Sequence, residues 1–318
     1  MPYVRNTPHW KPVLGLLNGG LDMAVNAFYG SDTAWHVECE AAPSKILAHH
    51  WPDVPNHGDV TQIDWNAVEP VDILTGGYPC QPFSAAGRRQ GTNDERHLWP
   101  YVRDAIRHLR PRLTVLENVA GHRSLGFDRV LGDLAEDGLH VRWTSVRASD
   151  VGAPHHRERV FIVASDPRCV GLQAGHQRPG RPDASQSGNY CGGPPLPDSC
   201  GIRLDGRRTA PKQADRAHTA ADRHSAGVEW GRYAPAVRRW ERLTRPAPSP
   251  TEPGRVGKPR LNTAFSEWMM GLPEGHVTAV PGLSRADQLK AIGNGVCPHQ
   301  AYRALEILHH IAFLESAS

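Results

Sequence analysis

Apolar runs of strand length alternate with segments of helical periodicity over the first 165 residues, and this feature restricts the fold most strongly. Strands joined through helices build a mostly parallel sheet with helices on both faces, and ligands bind at the carboxyl ends of its strands. We therefore predict an α/β fold in which the last two strands form a closing pair. The predicted strands are 13–17, 34–37, 71–77, 112–119, 139–146 and 159–165, and helical segments between them include 21–29, 44–50 and 101–110.

The composition changes after Ser165. Residues 166–259 carry 16 Lys and Arg residues against nine Asp and Glu, although the formal net charge of the whole chain is only +3. This basic segment predicts a polyanionic partner, and a solvated arginine-rich insertion is the alternative. Regular structure is predicted again in a helix at 236–243 and after Leu261, where a buried helix ends at Gly271 and a glycine-rich turn precedes a long final helix.

Signals for a membrane, for export and for a metal are weak. No stretch approaches the roughly 18 consecutive apolar residues of a membrane helix, and the first residues lack the pattern of a secretion signal. The cysteines form no CxxC pair, so we expect reduced thiols in a cytoplasm and no metal site. A zinc site is the alternative, but its spacings match no standard finger. Its ligands would be Cys169, His176, Cys191 and Cys200.

Two chemically suggestive segments follow neighbouring predicted strands. Cys80 lies in GGYPCQPFSAAG (76–87), and a cysteine held between prolines at a strand end occupies the position of a nucleophile in this fold class. A buried structural cysteine is the alternative. Glu117 lies in LENVAG (116–121) and is expected in the same crevice, where desolvation raises a carboxyl's pKa so that it can donate a proton. A surface acid at a strand–helix junction is the alternative for Glu117.

These segments, in this order, closely resemble motifs of the C5-cytosine DNA methyltransferase family. The resemblance extends to HHRER (155–159), where the family has Gln-x-Arg-x-Arg, and to WMMGLPEG (268–275) and AIGNGVCPHQ (291–300). It implies a Rossmann-like catalytic domain formed by residues 1–165 plus 284–318. It also implies a small, irregular and basic target-recognition domain at 166–283.

The resemblance implies transfer of a methyl group from S-adenosylmethionine to C5 of a cytosine flipped out of a specific duplex DNA sequence. The Cys80 thiolate would add to C6 while Glu117 hydrogen-bonds or protonates N3. Arg159 would steady the base carbonyl, and Arg157 would support the active-site loop or contact phosphate, with structural ion pairs as the alternative for both. Asn118 completes the predicted catalytic set. A mobile lid after the cysteine would contact DNA through Gln81, Ser84, Arg88, Arg89 and Arg96.

The cofactor residues are predicted from the first strands and the last motif. Glu38 would accept hydrogen bonds from the ribose hydroxyls, and Asp59 would meet the adenine amino group, with Val60 beside it. Cys39 stands where the family often has a large apolar residue. The other predicted cofactor residues are Gly19, Gly20, Leu98, Asn294 and Val296.

Two departures from the family pattern are present. The loop before the first helix keeps Gly19 and Gly20 but lacks an earlier glycine and is about three residues short. In the family this loop approaches the methionine part of the cofactor, so the shortening bears on cofactor affinity. His155 replaces the family's Gln. Two other functions stay open: a methyltransferase-fold protein that binds DNA without turnover, and an RNA cytosine-5 methyltransferase. An NAD-linked oxidoreductase is disfavoured because no GxGxxG follows the first strand.

The resemblance also implies an oligomeric state, a location and partners for the protein. We expect a monomer that acts on double-stranded DNA in the cytoplasm of a bacterium or a phage-infected cell. A cognate restriction endonuclease would be a functional partner without physical binding.

Overall fold

The computed structural model describes residues 12–13, 19–78, 98–168, 228–254 and 257–316. Among these residues the main sheet has five strands in the order β1-β2-β3-β5-β4. β1, β2 and β3 pair in parallel, whereas β5 lies antiparallel between β3 and β4. The sheet is therefore mixed, with β5 alone reversed, and the predicted closing pair is confirmed. The strands are β1 (Pro12–Val13), β2 (Ile73–Gly77), β3 (Leu113–Val119), β4 (His140–Arg147) and β5 (Glu158–Ser165).

Helices cover both faces of this sheet, which confirms the predicted α/β class. Alternation of side chains along a strand sends neighbouring residues to opposite faces. Ile73 and Val115 join one apolar cluster, and Leu74 and Leu116 join the other. The first cluster includes residues of α1 (Gly20–Tyr29) and α8 (Pro298–Ser316), and the second includes residues of α3 (Trp99–Leu109) and α4 (Phe127–Glu136).

The predicted strand at 34–37 is wrong as a regular strand. Its backbone makes a single parallel bridge, between His36 and Asn56. The His36 amide donates to the Pro55 carbonyl at 2.7 Å, and the His57 amide donates to the His36 carbonyl at 2.8 Å. The apolar residues of this segment reflect burial and not a regular strand, because Trp35 and Val37 are buried in the core. This segment leads into α2 (Ala41–His50).

The described residues after 227 pack onto the sheet domain through a shared core. Trp240 and Trp268 are fully buried and belong to one apolar cluster with Ile46, Ala148 and Ile292. The buried indole N–H groups find backbone partners: Trp240 Nε1 donates to the Trp268 carbonyl at 2.9 Å. The elements of this part are α5 (Ala234–Leu243), β6 (Thr251–Pro253), β7 (Pro259–Leu261), α6 (Thr263–Met269) and α7 (Arg285–Asn294). None of the helices in the described ranges is both long enough and apolar enough to cross a membrane.

Candidate active site

The carboxyl ends of β2 and β3 lie side by side. Gly77 at the end of β2 pairs with Glu117 of β3. The next residue of β3, Asn118, is buried and donates from Nδ2 to the Tyr78 carbonyl at 3.2 Å. Cys80 follows two residues after Tyr78 in the sequence and lies outside the described residues. Asn118 thus holds the backbone from which the cysteine segment continues.

Glu117 and Arg159 form a buried ion pair. Arg159 of β5 pairs with Val119 in the strand register, and its Nε lies 2.9 Å from Glu117 Oε1. The Glu117 side chain is only 6% exposed and that of Arg159 16%. Burial raises the pKa of the Glu117 carboxyl, while the positive charges of Arg159 and Arg157 oppose this rise. A carboxyl with a raised pKa beside an arginine can exchange a proton with a bound base and remain oriented.

Arg157 has a different environment from Arg159. Its guanidinium donates from Nη2 to the carbonyls of Gly293 at 2.9 Å and Gly295 at 2.6 Å. Burial, followed by the charge of Arg159, lowers the pKa of Arg157 to about 10. The arginine therefore contacts the C-terminal motif through backbone carbonyls.

The predicted glycines meet the same C-terminal motif from another side. Gly19 caps α1 with φ +80°, and Gly20 begins the helix. A Cβ on Gly20 would lie 2.3 Å from the carbonyl oxygen of Val296, well inside van der Waals contact. Val296 is fully buried. Two predicted cofactor segments are thus in direct contact, and the absence of a side chain at residue 20 permits this approach.

Glu38 is a buried acid on the segment that precedes α2. Its Oε1 accepts the Glu40 amide at 2.7 Å, and its own backbone is bonded on both sides to the Asn56 side chain. Burial raises the pKa of Glu38 to about 7. Desolvation, together with the charges of Glu38 and Asp59, raises the pKa of the exposed Cys39 thiol. The structure therefore brings these three predicted residues within electrostatic range of one another.

The remaining predicted residues have separate environments. Asp59 is exposed and accepts the Thr61 amide at 2.9 Å, and Val60 beside it is buried. Leu98 packs on the core next to α3, and Asn294 is exposed at the end of α7. The predicted lid residues and the alternative zinc ligands lie outside the described residues. They are Gln81, Ser84, Arg88, Arg89 and Arg96, and Cys169, His176, Cys191 and Cys200.

Sequence reasoning missed two residues that organise this region. Asn56 anchors Glu38, and its position in a Pro-Asn-His-Gly turn is a signal that could have identified it. Gln300 is completely buried and donates from Nε2 to the carbonyls of Val146 and Arg157 at 2.5 and 2.7 Å. No local sequence pattern predicts the role of Gln300, because both of its acceptors are more than 140 residues away in the sequence.

The fold and the site define an α/β protein of the methyltransferase fold class. The structure of Spodoptera frugiperda DNMT2 superimposes with a TM-score of 0.58 at 17% identity and covers 95% of this chain and all of that one. The Entamoeba histolytica methyltransferase EhMeth gives a TM-score of 0.57 at 13% identity, covering 96% of this chain and 99% of that one. At such identities the similarity establishes the fold alone.

The chain belongs to the C-5 cytosine-specific DNA methylase family, whose sequence profile matches residues 17–176. It is 36% identical over 140 residues to the type II methyltransferase M1.ScrFI of Lactococcus lactis subsp. cremoris, covering 42% of this chain and 36% of that protein. It is 32% identical over 142 residues to the type II methyltransferase M.NlaIV of Neisseria lactamica, covering 40% and 33%. The chain thus matches about a third of the length of these relatives.

Proposed function

We propose that this chain is an S-adenosylmethionine-dependent DNA methyltransferase that modifies C5 of a flipped cytosine in a specific duplex sequence. The observation that carries the proposal is the buried pair of Glu117, near the carboxyl end of β3, and Arg159, at the amino end of the antiparallel strand β5. It lies beside the end of β2, from which the chain continues to Cys80. Family membership and the type II methyltransferase relatives support the same reaction.

The chemistry of cytosine explains why these residue types are needed together. C5 of cytosine is a weak nucleophile until the ring is activated by addition of a nucleophile at C6. In this proposal the Cys80 thiolate forms the bond to C6, and Glu117 delivers a proton, or a hydrogen bond, to N3 to take up the charge of the ring. Burial raises the pKa of Glu117, so this carboxyl is suited to holding that proton.

Arg159 and Asn118 position these groups. Arg159 keeps the Glu117 carboxyl oriented through the 2.9 Å ion pair and offers positive charge where the ring accumulates electrons. Asn118 bonds to the Tyr78 carbonyl and so fixes the start of the cysteine segment relative to Glu117. Both side chains are mostly buried, which limits the number of orientations they can adopt.

The residues on the cofactor side fit S-adenosylmethionine, which supplies the transferable methyl group when bound. The contact of Gly20 with the Val296 carbonyl brings two predicted cofactor segments together at the start of α1. Glu38 and the exposed Asp59 offer carboxylates for ribose hydroxyls and an adenine amino group. Residues 14–18, which include the shortened part of the glycine loop, lie outside the described residues.

We place target recognition in residues 166–283, with double-stranded DNA as the partner of a monomeric enzyme. Helix α5 supports this assignment because several of its arginines are exposed and available to phosphates. The bacterial type II relatives support a location in the cytoplasm of a bacterium or a phage-infected cell. The exposed arginines in and next to α5 are Arg232, Arg238, Arg239 and Arg242.

Expression in a host free of cytosine methylation, followed by sequencing of 5-methylcytosine across the genome, tests the proposal. We expect methylation at one short motif from the wild-type protein. Cys80→Ala should abolish methylation, and Glu117→Gln should reduce it by at least about a hundredfold, the range of general acid catalysis. Both variants should remain soluble and bind duplex DNA.

Three outcomes would overturn the proposal. A genome without 5-methylcytosine in cells that contain soluble wild-type protein would favour a DNA-binding protein without turnover. Methylation that persists in Cys80→Ala would exclude the covalent mechanism. Methylated cytosines found in cellular RNA and not in DNA would move the reaction to the RNA alternative.

A further inference from the structure

Arg157 is fixed at both its backbone and its side chain. Its φ of +27° is in the left-handed region, which residues with a side chain seldom occupy and which persists only where surrounding contacts enforce it. The Gln300 amide holds the Arg157 carbonyl at 2.7 Å and the Val146 carbonyl at 2.5 Å. The guanidinium meanwhile donates to Gly293 and Gly295.

The segment that Arg157 holds is the one that closes against α1. Between Gly293 and Cys297 the chain leaves α7, passes Arg157 and brings the Val296 carbonyl against Gly20. The side chains of Val296 and Cys297 are fully buried. Arg157 therefore contacts the segment that includes the predicted cofactor residues Asn294 and Val296. Arg157 directly precedes β5 and lies two residues before Arg159 of that strand.

We propose that Arg157 is a positioning residue that fixes segment 293–297 against the cofactor site and does not contact DNA phosphate. This inference rests on the proposed function for the identity of the cofactor, but the contact itself does not. Nη2 uses both of its N–H donors on the two carbonyls, and Nε is buried away from solvent, so the Nε–Nη2 edge of the guanidinium offers no accessible donor to a phosphate. Both bonds come from the single nitrogen Nη2, whose direction the planar guanidinium fixes, whereas a lysine ammonium rotates on a flexible stem.

Three substitutions distinguish the effect of the Arg157 guanidinium from the effect of its backbone conformation. Arg157→Met keeps much of the volume and removes the donors. Arg157→Gly also removes the donors but relieves the positive φ. Arg157→Lys keeps a cation with a different geometry. Arg103 provides the matched control, because it is another largely buried arginine, paired with Asp133 and Asp137 far from segment 293–297 in the sequence. Arg103→Met should lower stability without affecting the segment.

Hydrogen exchange of the peptide spanning 288–300, measured without cofactor, tests the contact. We expect at least about tenfold faster exchange in Arg157→Met and Arg157→Gly, an intermediate rate in Arg157→Lys, and the wild-type rate in Arg103→Met. Unchanged protection in Arg157→Met would overturn the inference. Protection kept in Arg157→Gly but lost in Arg157→Met would also overturn it, because the backbone strain and not the guanidinium would then be responsible.

Calorimetric titration with S-adenosylmethionine and with duplex DNA tests the consequence for binding. We expect Arg157→Met to weaken cofactor binding by about tenfold or more, with partial recovery in Arg157→Lys and DNA affinity close to that of the wild type. A variant that loses DNA affinity while keeping cofactor affinity and exchange protection would identify Arg157 as a phosphate contact and overturn the inference. If the wild-type protein binds no cofactor, the proposed function fails, and the exchange experiment still decides the contact.

Discussion

Two buried acids in this site are stabilised in different ways. Glu117 has an arginine within 2.9 Å, whose charge opposes the rise in pKa that burial causes. Glu38 accepts a backbone amide from Glu40, and burial raises its pKa to about 7 against the opposing effects of that hydrogen bond and of the Lys290 charge. Glu38 therefore changes its charge near neutral pH, where a change in protonation is easily measured.

The pKa of Glu38 predicts opposite pH trends for cofactor affinity and for stability. A carboxylate accepts ribose hydroxyls better than a carboxylic acid does, so cofactor affinity should rise as the pH increases through about 7. Because the pKa in the folded state lies above the ordinary glutamate value of 4.5, the folded protein binds the proton more tightly than the unfolded chain. The stability from Glu38 is therefore complete below pH 4.5 and is lost as the pH rises through 7.

Calorimetry at pH 6, 7 and 8, in two buffers of different ionisation enthalpy, measures both the affinity and the proton released on binding. At pH 6 we expect the wild type to release a substantial fraction of a proton. Glu38→Gln should release none and should bind more weakly, by about tenfold or more, since a hydrogen bond to a charged group is lost. Equal affinity of the wild type at all three pH values would exclude this assignment of Glu38.

At the scale of elements, the contact between the start of α1 and segment 293–297 predicts the effect of a single methyl group. Gly20→Ala places a Cβ 2.3 Å from the Val296 carbonyl, and both are backbone-anchored groups that cannot rotate away. We expect a loss of about 1–3 kcal/mol in the free energy of unfolding, as for other overpacked sites, and weaker cofactor binding. Urea denaturation and calorimetry provide the two measurements.

Gly132→Ala is the control for that substitution. Gly132 lies inside α4, and a Cβ built there meets nothing within 4 Å. Alanine in a helix interior should increase stability by about 1 kcal/mol relative to glycine and leave cofactor binding unchanged. A stable Gly20→Ala protein with normal cofactor affinity would show that the contact is not required.

Elements with a strong local signal could be predicted from the sequence. The apolar runs at 71–77 and 112–119 correspond to β2 and β3, and Glu117 is buried near the carboxyl end of β3. Trp35, His36 and Val37 are buried, but the segment pairs with residues 55–57 instead of with a neighbouring strand. The pattern of apolar residues indicates which residues are buried, but it does not identify the segment to which their backbone is hydrogen-bonded.

Contacts between distant parts of the chain could not be predicted in this way. The bonds from Arg157 to Gly293 and Gly295 join residues more than 130 positions apart. In the sequence, Arg157 and Arg159 are two similar arginines two positions apart. Only the folded chain shows that one faces Glu117 and the other faces the C-terminal motif.

At the scale of the whole molecule, the last helix, α8, covers the same face of the sheet as α1. Ala301, Ala304, Leu305 and Leu308 of α8 are buried in one cluster with residues of α1, β2, β3 and β5. The sheet therefore depends on a helix contributed by the distant end of the sequence. Because α8 also follows directly on segment 293–297, its packing affects both the stability of the fold and the position of that segment.

Leu305→Ala tests this coupling. Leu305 is 1% exposed, and deleting such a side chain removes buried apolar contacts and leaves a cavity, at a cost of about 2–5 kcal/mol in the free energy of unfolding. Arg303→Ala changes a partly exposed residue of the same helix, whose ion pair with Glu306 is worth at most about 1 kcal/mol. Urea unfolding measured by tryptophan fluorescence gives both values.

If the sheet and segment 293–297 depend on the same packing, hydrogen exchange in 288–300 should also accelerate in Leu305→Ala and stay unchanged in Arg303→Ala. A destabilised Leu305→Ala protein with full protection of that segment would show that α8 supports the sheet independently of the site.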